Sequence, residues 1–209
     1  MNNYALEQAE ELFEQALEYF LGIEKEKNMI HAKELLQQSS ELGLSKSSNL
    51  LGDWYIKKII PGDNYKEAFK LYTRGYEFGD MRSFSRLAMC YEKGYGIKKD
   101  IPKALELYEK SVELGNKDAC FSIARIYEKG ENIKMDLSKA ILWYKRGYEK
   151  GDADCACNLA TCYYKGKGIE QNIEKAKEIF LAFSEYNTQN QRNLGVIFYK
   201  GTPSCKPNE

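Results

Sequence analysis

The amino-acid sequence repeats at an interval of 36 residues, and this repeat constrains the fold more than any other feature. Small, aromatic and aliphatic residues all recur in register. The series are Ala32, Ala68, Ala104, Ala140 and Ala176; Tyr19, Tyr55, Tyr91, Tyr127 and Tyr163; Tyr72, Tyr108, Tyr144 and Phe180; and Leu51, Leu87, Ile123 and Leu159. Such a period is typical of a chain built from stacked supersecondary units.

Each unit is predicted to contain two helices. In residues 80–115, Leu87, Ala88 and Tyr91 have helical spacing, and Gly94 offers a left-handed stop for this first helix, helix A. Asp100 then precedes a second apolar-periodic run with a proline in its first turn, which is helix B. The pattern therefore predicts an all-α chain of helical hairpins.

Two further series of repeated residues, one polar and one small, support the assignment of helix B. A polar residue precedes each copy, and its side-chain oxygen can accept a hydrogen bond from the first helical turn. Small residues lie in the middle of the helix, where glycine costs about 1 kcal/mol, so we expect a close approach by a neighbouring helix. The predicted caps are Asn28, Asn64, Asp100, Asp136 and Asn172, and the small residues are Ser39, Gly75, Ser111 and Gly147.

One hairpin cannot bury both of its apolar stripes, so consecutive hairpins must stack into a solenoid. We predict a single solenoid domain over residues 1–209, with about five and a half repeats and a polar tail. The units run approximately over 5–43, 44–79, 80–115, 116–151 and 152–187, followed by a final helix over 189–201 and the tail over 202–209.

The unit resembles the Sel-1-like repeat, a relative of the tetratricopeptide repeat. The stretch "LAMCYEKGYGIKKDIPKALELYEKSVELG" matches that pattern nearly throughout, and the resemblance covers essentially residues 5–201. It implies a right-handed α-α superhelical solenoid that serves as a protein-binding adaptor or scaffold. The second unit departs from the pattern because Lys58 and Ile60 replace the glycine pair, so we expect a reshaped loop there.

Charge and hydropathy narrow the function classes. The 31 basic residues equal the 31 acidic ones, so no long-range field favours nucleic acid or an anionic membrane. The N-terminal stretch carries acidic residues throughout and matches neither a signal peptide nor a membrane span. We expect a cytoplasmic protein without membrane insertion.

The sequence contains no strong motif for phosphate binding, metal binding or catalysis. The stretch "KGKGIEQN" lacks the Lys-Ser/Thr ending of a phosphate loop, and the lysine between its glycines is replaced in other units by Tyr95 and Glu131. His31 is the single histidine, and no Cys-x2-Cys pair suggests a metal site. The six cysteines are expected to be mostly reduced. We therefore expect no enzyme activity, no cofactor and no small-molecule substrate.

By analogy with tetratricopeptide arrays, certain helix A positions should face a concave surface that binds a protein or peptide. Some are apolar among charges, as in a peptide groove, although packing between units would also explain them. The predicted contact residues are Asn49, Asp53, Ile56, Arg82, Met89, Glu92, Phe121, Arg125, Glu128, Cys157, Thr161, Tyr164, Arg192 and Tyr199. The alternative function is a dedicated inhibitor or immunity protein that neutralises one toxin or enzyme.

Overall fold

A computed structural model of the chain describes residues 3–23, 25–60, 64–183 and Asn193. Within these residues the chain forms ten α-helices and no strand, which confirms the all-α prediction. The helices are α1 (Asn3–Leu21), α2 (Met29–Glu41), α3 (Ser45–Ile56), α4 (Asn64–Glu77), α5 (Met81–Lys93), α6 (Ile101–Glu113), α7 (Asp118–Lys129), α8 (Leu137–Glu149), α9 (Ala153–Lys165) and α10 (Ile173–Ala182).

Odd-numbered helices correspond to helix A and even-numbered helices to helix B, and the two helices of each hairpin pack together. The chain forms two compact units, Met1–Leu114 with α1 to α6 and Gly115–Glu209 with α7 to α10. In the first unit α2 also packs on α3 and α4 on α5, and in the second α8 packs on α9. The assignment of one domain to residues 1–209 stays a prediction, and the final helix and the tail lie outside the described residues.

The repeated residues form the core of each hairpin. The second aromatic series is buried, with at most 3 % of each side chain exposed, and the five repeated alanines are equally buried. In the first tyrosine series, the constant spacing predicts core residues, but Tyr91 and Tyr127 are only half-buried, whereas Tyr163 is buried. Lys139 Nζ lies 5.1 Å from the centroid of the Tyr127 ring. These tyrosines therefore lie at the edge of the core, between buried side chains and the surface.

The predicted caps explain where helix B begins. The side chains of Asn28, Asp100, Asp136 and Asn172 each accept a hydrogen bond from the backbone amide three residues on. Asn64 differs, because α4 begins at this residue itself. Two copies of helix A also have caps, which were not predicted: Asp80 caps α5 and Asp152 caps α9 in the same way.

The left-handed position that ends helix A is kept even where glycine is missing. Gly94, Gly130 and Gly166 follow α5, α7 and α9 with φ values of 78°, 66° and 67°. Lys58 follows α3 with φ 55°, a conformation that costs a residue with a Cβ about 1–2 kcal/mol. The expected change in the loop is thus absent at Lys58, and Pro61 and Gly62 lie outside the described residues.

Small residues in helix B let the next helix A approach, as predicted. A Cβ on Gly147 would lie 2.7 Å from Cys155 Cβ, and a Cβ on Gly75 would meet the hydroxyl of Ser83. At the same position of α2, Ser39 Oγ lies 2.6 Å from Ser47 Oγ. The junctions between α2 and α3, α4 and α5, and α8 and α9 are therefore each filled by a matched pair of small side chains.

No helix within the described ranges has the length and apolar character needed to cross a membrane.

Candidate functional site

Twelve of the predicted contact residues lie on α3, α5, α7 and α9, and nine of these are half-buried. Arg82 is exposed at the start of α5. Arg192 and Tyr199 lie outside the described residues. The half-buried group comprises Asp53, Ile56, Met89, Glu92, Phe121, Arg125, Glu128, Thr161 and Tyr164.

Two predicted residues are not accessible to a partner. Asn49 is 5 % exposed, and it donates to Asp80 at 2.8 Å and accepts from the hydroxyl of Ser83 at 2.9 Å. Cys157 is 2 % exposed and takes part in a disulfide. Their prediction as surface contacts is wrong, because both side chains are buried and already bonded within the protein.

Asp53 links three helices of the first unit. It accepts a hydrogen bond from the phenol of Tyr72 at 2.7 Å and a bidentate pair from Arg86 at 2.8 and 2.6 Å. Burial alone would lower the pKa of Arg86, but these contacts with Asp53 outweigh it and raise the pKa. Most of the hydrogen-bonding capacity of Asp53 therefore stabilises α3, α4 and α5.

Glu92 and Glu128 are held by a buried tyrosine of the following helix B. Tyr108 donates to Glu92 Oε2 at 2.9 Å, and Tyr144 donates to Glu128 Oε2 at 2.8 Å. Lys167 donates to the other oxygen of Glu128 at 2.8 Å. Burial alone would raise the pKa of Glu128, but the hydrogen bonds from Lys167 and Tyr144 lower it on balance, so this carboxylate stays charged.

Three predicted contact residues of the second unit gather around Tyr144. The Phe121 ring lies 6.3 Å from the Tyr144 ring, centroid to centroid, and Arg125 Cζ lies 5.5 Å from the Phe121 centroid. Glu128 joins them through the Tyr144 phenol. We call Phe121, Arg125 and Glu128 the α7 patch. It combines an aromatic ring with both signs of charge, half-buried and held in fixed positions, which suits recognition of a polypeptide.

The residues that could support chemistry have structural roles. The His31 ring meets the Tyr19 ring edge-on at 4.5 Å, at the place where Lys139 covers Tyr127 in a later hairpin. Cys90, Cys120, Cys155 and Cys162 are free and buried. Burial raises the pKa of the Cys90 thiol to about 12, so a nucleophilic thiolate is disfavoured there.

Within the described part of the chain, no group of three or more His, Cys, Asp or Glu side chains could hold a metal ion.

A family model and several solved structures match the chain. The model for the Sel1 repeat matches residues 12–44, 47–80, 85–116, 117–152, 153–184 and 191–209. No curated protein is similar enough in sequence to give a significant match.

Among solved structures, the Sel1 repeat protein from Oxalobacter formigenes is 26 % identical with a TM-score of 0.82, and the match covers 100 % of this chain and 83 % of that one. A protective antigen present in uropathogenic Escherichia coli strains, which displays an SLR fold, is 28 % identical with a TM-score of 0.73, over 90 % of this chain and 41 % of that one.

An immunity protein from Pseudomonas aeruginosa is 16 % identical with a TM-score of 0.61, over 89 % of this chain and 72 % of that one, and shares the fold alone. The matches confirm the predicted fold class, a helical repeat solenoid.

Proposed function

The chain belongs to the Sel1 repeat family, and on that premise we propose that it is a non-enzymatic scaffold or adaptor that binds a protein or peptide on its helix A face. Sel1 repeat proteins are generally protein-interaction scaffolds. We further propose that it acts in the cytoplasm without a cofactor or small-molecule substrate.

The α7 patch is the observation that carries this proposal. Its aromatic ring, Phe121, is only half-buried, and the charged groups of Arg125 and Glu128 are fixed beside it. Side chains already held in place lose little conformational entropy when a partner binds. An aromatic residue flanked by such charges is the usual composition of an energetic centre in a protein interface.

The experiment is a pull-down with the wild type and with a Phe121→Glu/Tyr164→Glu variant, followed by mass spectrometry of the retained proteins. A matched control is Leu142→Glu, which places the same charge on α8, where Leu142 is 64 % exposed. We expect the double variant to lose a partner that the wild type and the control retain. A double variant that is folded by circular dichroism and keeps the same partners would reject this surface.

A dedicated inhibitor or immunity protein is the second candidate. The support for it is fold-level, since the matched immunity protein is 16 % identical. Co-expression with products of neighbouring genes tests it, because an immunity protein restores growth against one toxic product. Failure to protect against any neighbouring product would reject this candidate and leave the scaffold proposal standing.

A further inference from the structure

The loop that follows α5 meets the start of α4 in the first unit. The Tyr65 and Tyr95 rings stack at a centroid distance of 4.3 Å with an interplanar angle of 8°. A Cβ on Gly96 would lie 2.7 Å from the Tyr65 carbonyl carbon and 2.8 Å from Lys66 Cα, so the loop after α5 lies directly against the start of α4. Residues from two successive hairpins thus form one continuous surface.

This surface is basic. We call it the lysine edge and define it as the two tyrosines together with the exposed lysines Lys57, Lys58 and Lys98. Among the described residues of the segments 57–60, 64–67 and 94–100, the acidic residues are Asp100, whose side chain caps α6, and Glu67, which pairs with Lys70 at 2.8 Å. Asp63 lies outside the described residues. The excess of positive charge is therefore local in a chain whose total charge is balanced.

Lys58 gives a separate reason to assign a function to this edge. It occupies the left-handed position with φ 55°, where Gly94, Gly130 and Gly166 stand in the other hairpins. Glycine would relieve the strain, so the lysine side chain carries a conformational cost at this position. Strained non-glycine positions of this kind cluster at binding sites.

The loop after α7 in the second unit lacks both the tyrosine and the left-handed lysine, and its non-glycine residue with positive φ is Asn132, a residue type that tolerates this conformation. Glu131 stands at the position of Tyr95 and pairs with Lys129 at 3.6 Å, and Gly130 stands at the position of Lys58. Met135 replaces Lys99. The lysine edge is thus a property of particular repeats and is not required by the fold.

We propose that the lysine edge docks an acidic, aromatic-containing segment of a protein partner, an inference that rests on the proposed scaffold function. Lysine ammonium groups pair with glutamate and aspartate carboxylates, and the stacked tyrosines offer an apolar face for an aromatic side chain. The balanced charge of the chain, 31 basic against 31 acidic residues, favours an acidic polypeptide over nucleic acid, which binds proteins with a strongly basic face.

The test uses a fluorescein-labelled peptide of alternating glutamate and phenylalanine, measured by fluorescence anisotropy with the whole chain. A Lys57→Glu/Lys98→Glu variant should bind the peptide at least about tenfold more weakly than the wild type, and binding should weaken as salt rises. The matched control is Lys129→Glu/Lys134→Glu, which makes the same changes at the equivalent loop positions 72 and 36 residues further on and should bind as the wild type does. Tyr95→Glu reproduces the residue of the other loop and should also weaken binding.

Equal loss in the matched control, or no binding of the peptide by the wild type, would overturn the proposal. Tighter binding of a single-stranded oligonucleotide than of the peptide would overturn the choice of partner class. Failure of this inference can be distinguished from failure of the proposed function. If Phe121→Glu/Tyr164→Glu loses a partner that Lys57→Glu/Lys98→Glu retains, the scaffold function is supported and the lysine edge is rejected as the docking surface.

Discussion

The Tyr144 phenol donates a 2.8 Å hydrogen bond to Glu128 Oε2, and this bond joins the core of α8 to a charged residue of α7. Replacing Tyr144 by phenylalanine keeps the ring and removes the bond to the carboxylate. We expect Tyr144→Phe to lower the free energy of unfolding by about 1 to 2 kcal/mol, as for hydrogen bonds to charged groups. Urea denaturation followed by circular dichroism measures it. Tyr127→Phe, at a half-buried tyrosine of α7, is the control, and an equal loss in both would contradict this assignment.

Gly147 allows α9 to approach α8. Gly147→Ala would place a Cβ against Cys155 and 3.1 Å from Cys120 Cβ, so we expect overpacking to cost about 1–3 kcal/mol of stability. Cys155→Ala removes the nearest sulfur and should recover part of that loss in the double variant. Denaturation curves of the two single variants and the double variant give the coupling. Strict additivity would show that the two residues do not compete for space.

Lys58 and Gly94 end equivalent helices and should respond in opposite ways to substitution. Lys58→Gly removes left-handed strain and should raise the free energy of unfolding by about 1 kcal/mol, while Gly94→Ala should lower it by about the same amount. Thermal denaturation measures both. A Lys58→Gly variant that is less stable than the wild type would show that the lysine stabilises the loop.

Asp154 predicts a pH dependence. Burial, with Asp152 and Asp118 nearby, raises its pKa, so the charged form is disfavoured in the folded state. The contribution of Asp154 to the free energy of unfolding is therefore most favourable below the unfolded pKa, near 3.8, where the carboxyl group is neutral in both states. This contribution is lost as the pH rises through the raised folded pKa. Asp154→Asn should therefore be more stable than the wild type at pH 7, and the difference should vanish in acid. Chemical denaturation at several pH values measures this, with Asp136→Asn as a control that keeps its cap; a constant difference would refute the charge effect.

The four free thiols should be unreactive in the folded protein. Burial raises the pKa of each, to about 11 for Cys162, where the Glu128 charge adds to the effect. We expect N-ethylmaleimide at pH 7 to leave Cys90, Cys120, Cys155 and Cys162 unmodified until guanidinium unfolds the chain. Peptide mapping by mass spectrometry gives the extent at each site. Rapid labelling of one site without denaturant would show that its helix opens locally.

The spacing of the sequence predicted the helix order, four of the five caps of helix B and the buried aromatic series, because those features depend on local periodicity. Side-chain pairing across helices was not predicted. Tyr108 and Tyr144 each reach a glutamate 16 residues earlier, but Tyr72 finds Ile56 at that distance and bonds to Asp53 instead. The recurring interval of 16 residues could have predicted the pairs of Tyr108 and Tyr144 with a glutamate. The pair of Tyr72 with Asp53 could not be predicted from an interval, because it depends on which carboxylate lies within reach of the phenol.

The prediction of the contact surface was less accurate than that of the helices, because its residues were assigned only by their position on helix A. Asn49 occupies a suitable position, but it bridges Asp80 and Ser83 between two helices and is buried. The sequence alone does not distinguish a polar residue that is hydrogen-bonded inside the protein from one that is exposed to a partner. The remaining predicted contacts stay predictions, and Arg82 is the exposed one among those that the structure describes.

The paired small side chains at Gly75 and Ser83, and at Gly147 and Cys155, bear on how such chains can be recombined. Each pair consists of one residue from a helix B and one from the helix A that follows it. A chimera joined at the short turn between those helices separates the two members and creates a clash or a void. One joined in the longer loop between helix A and helix B keeps every pair together. The transferable module of this architecture is therefore offset by one helix from the repeat that is read in the sequence.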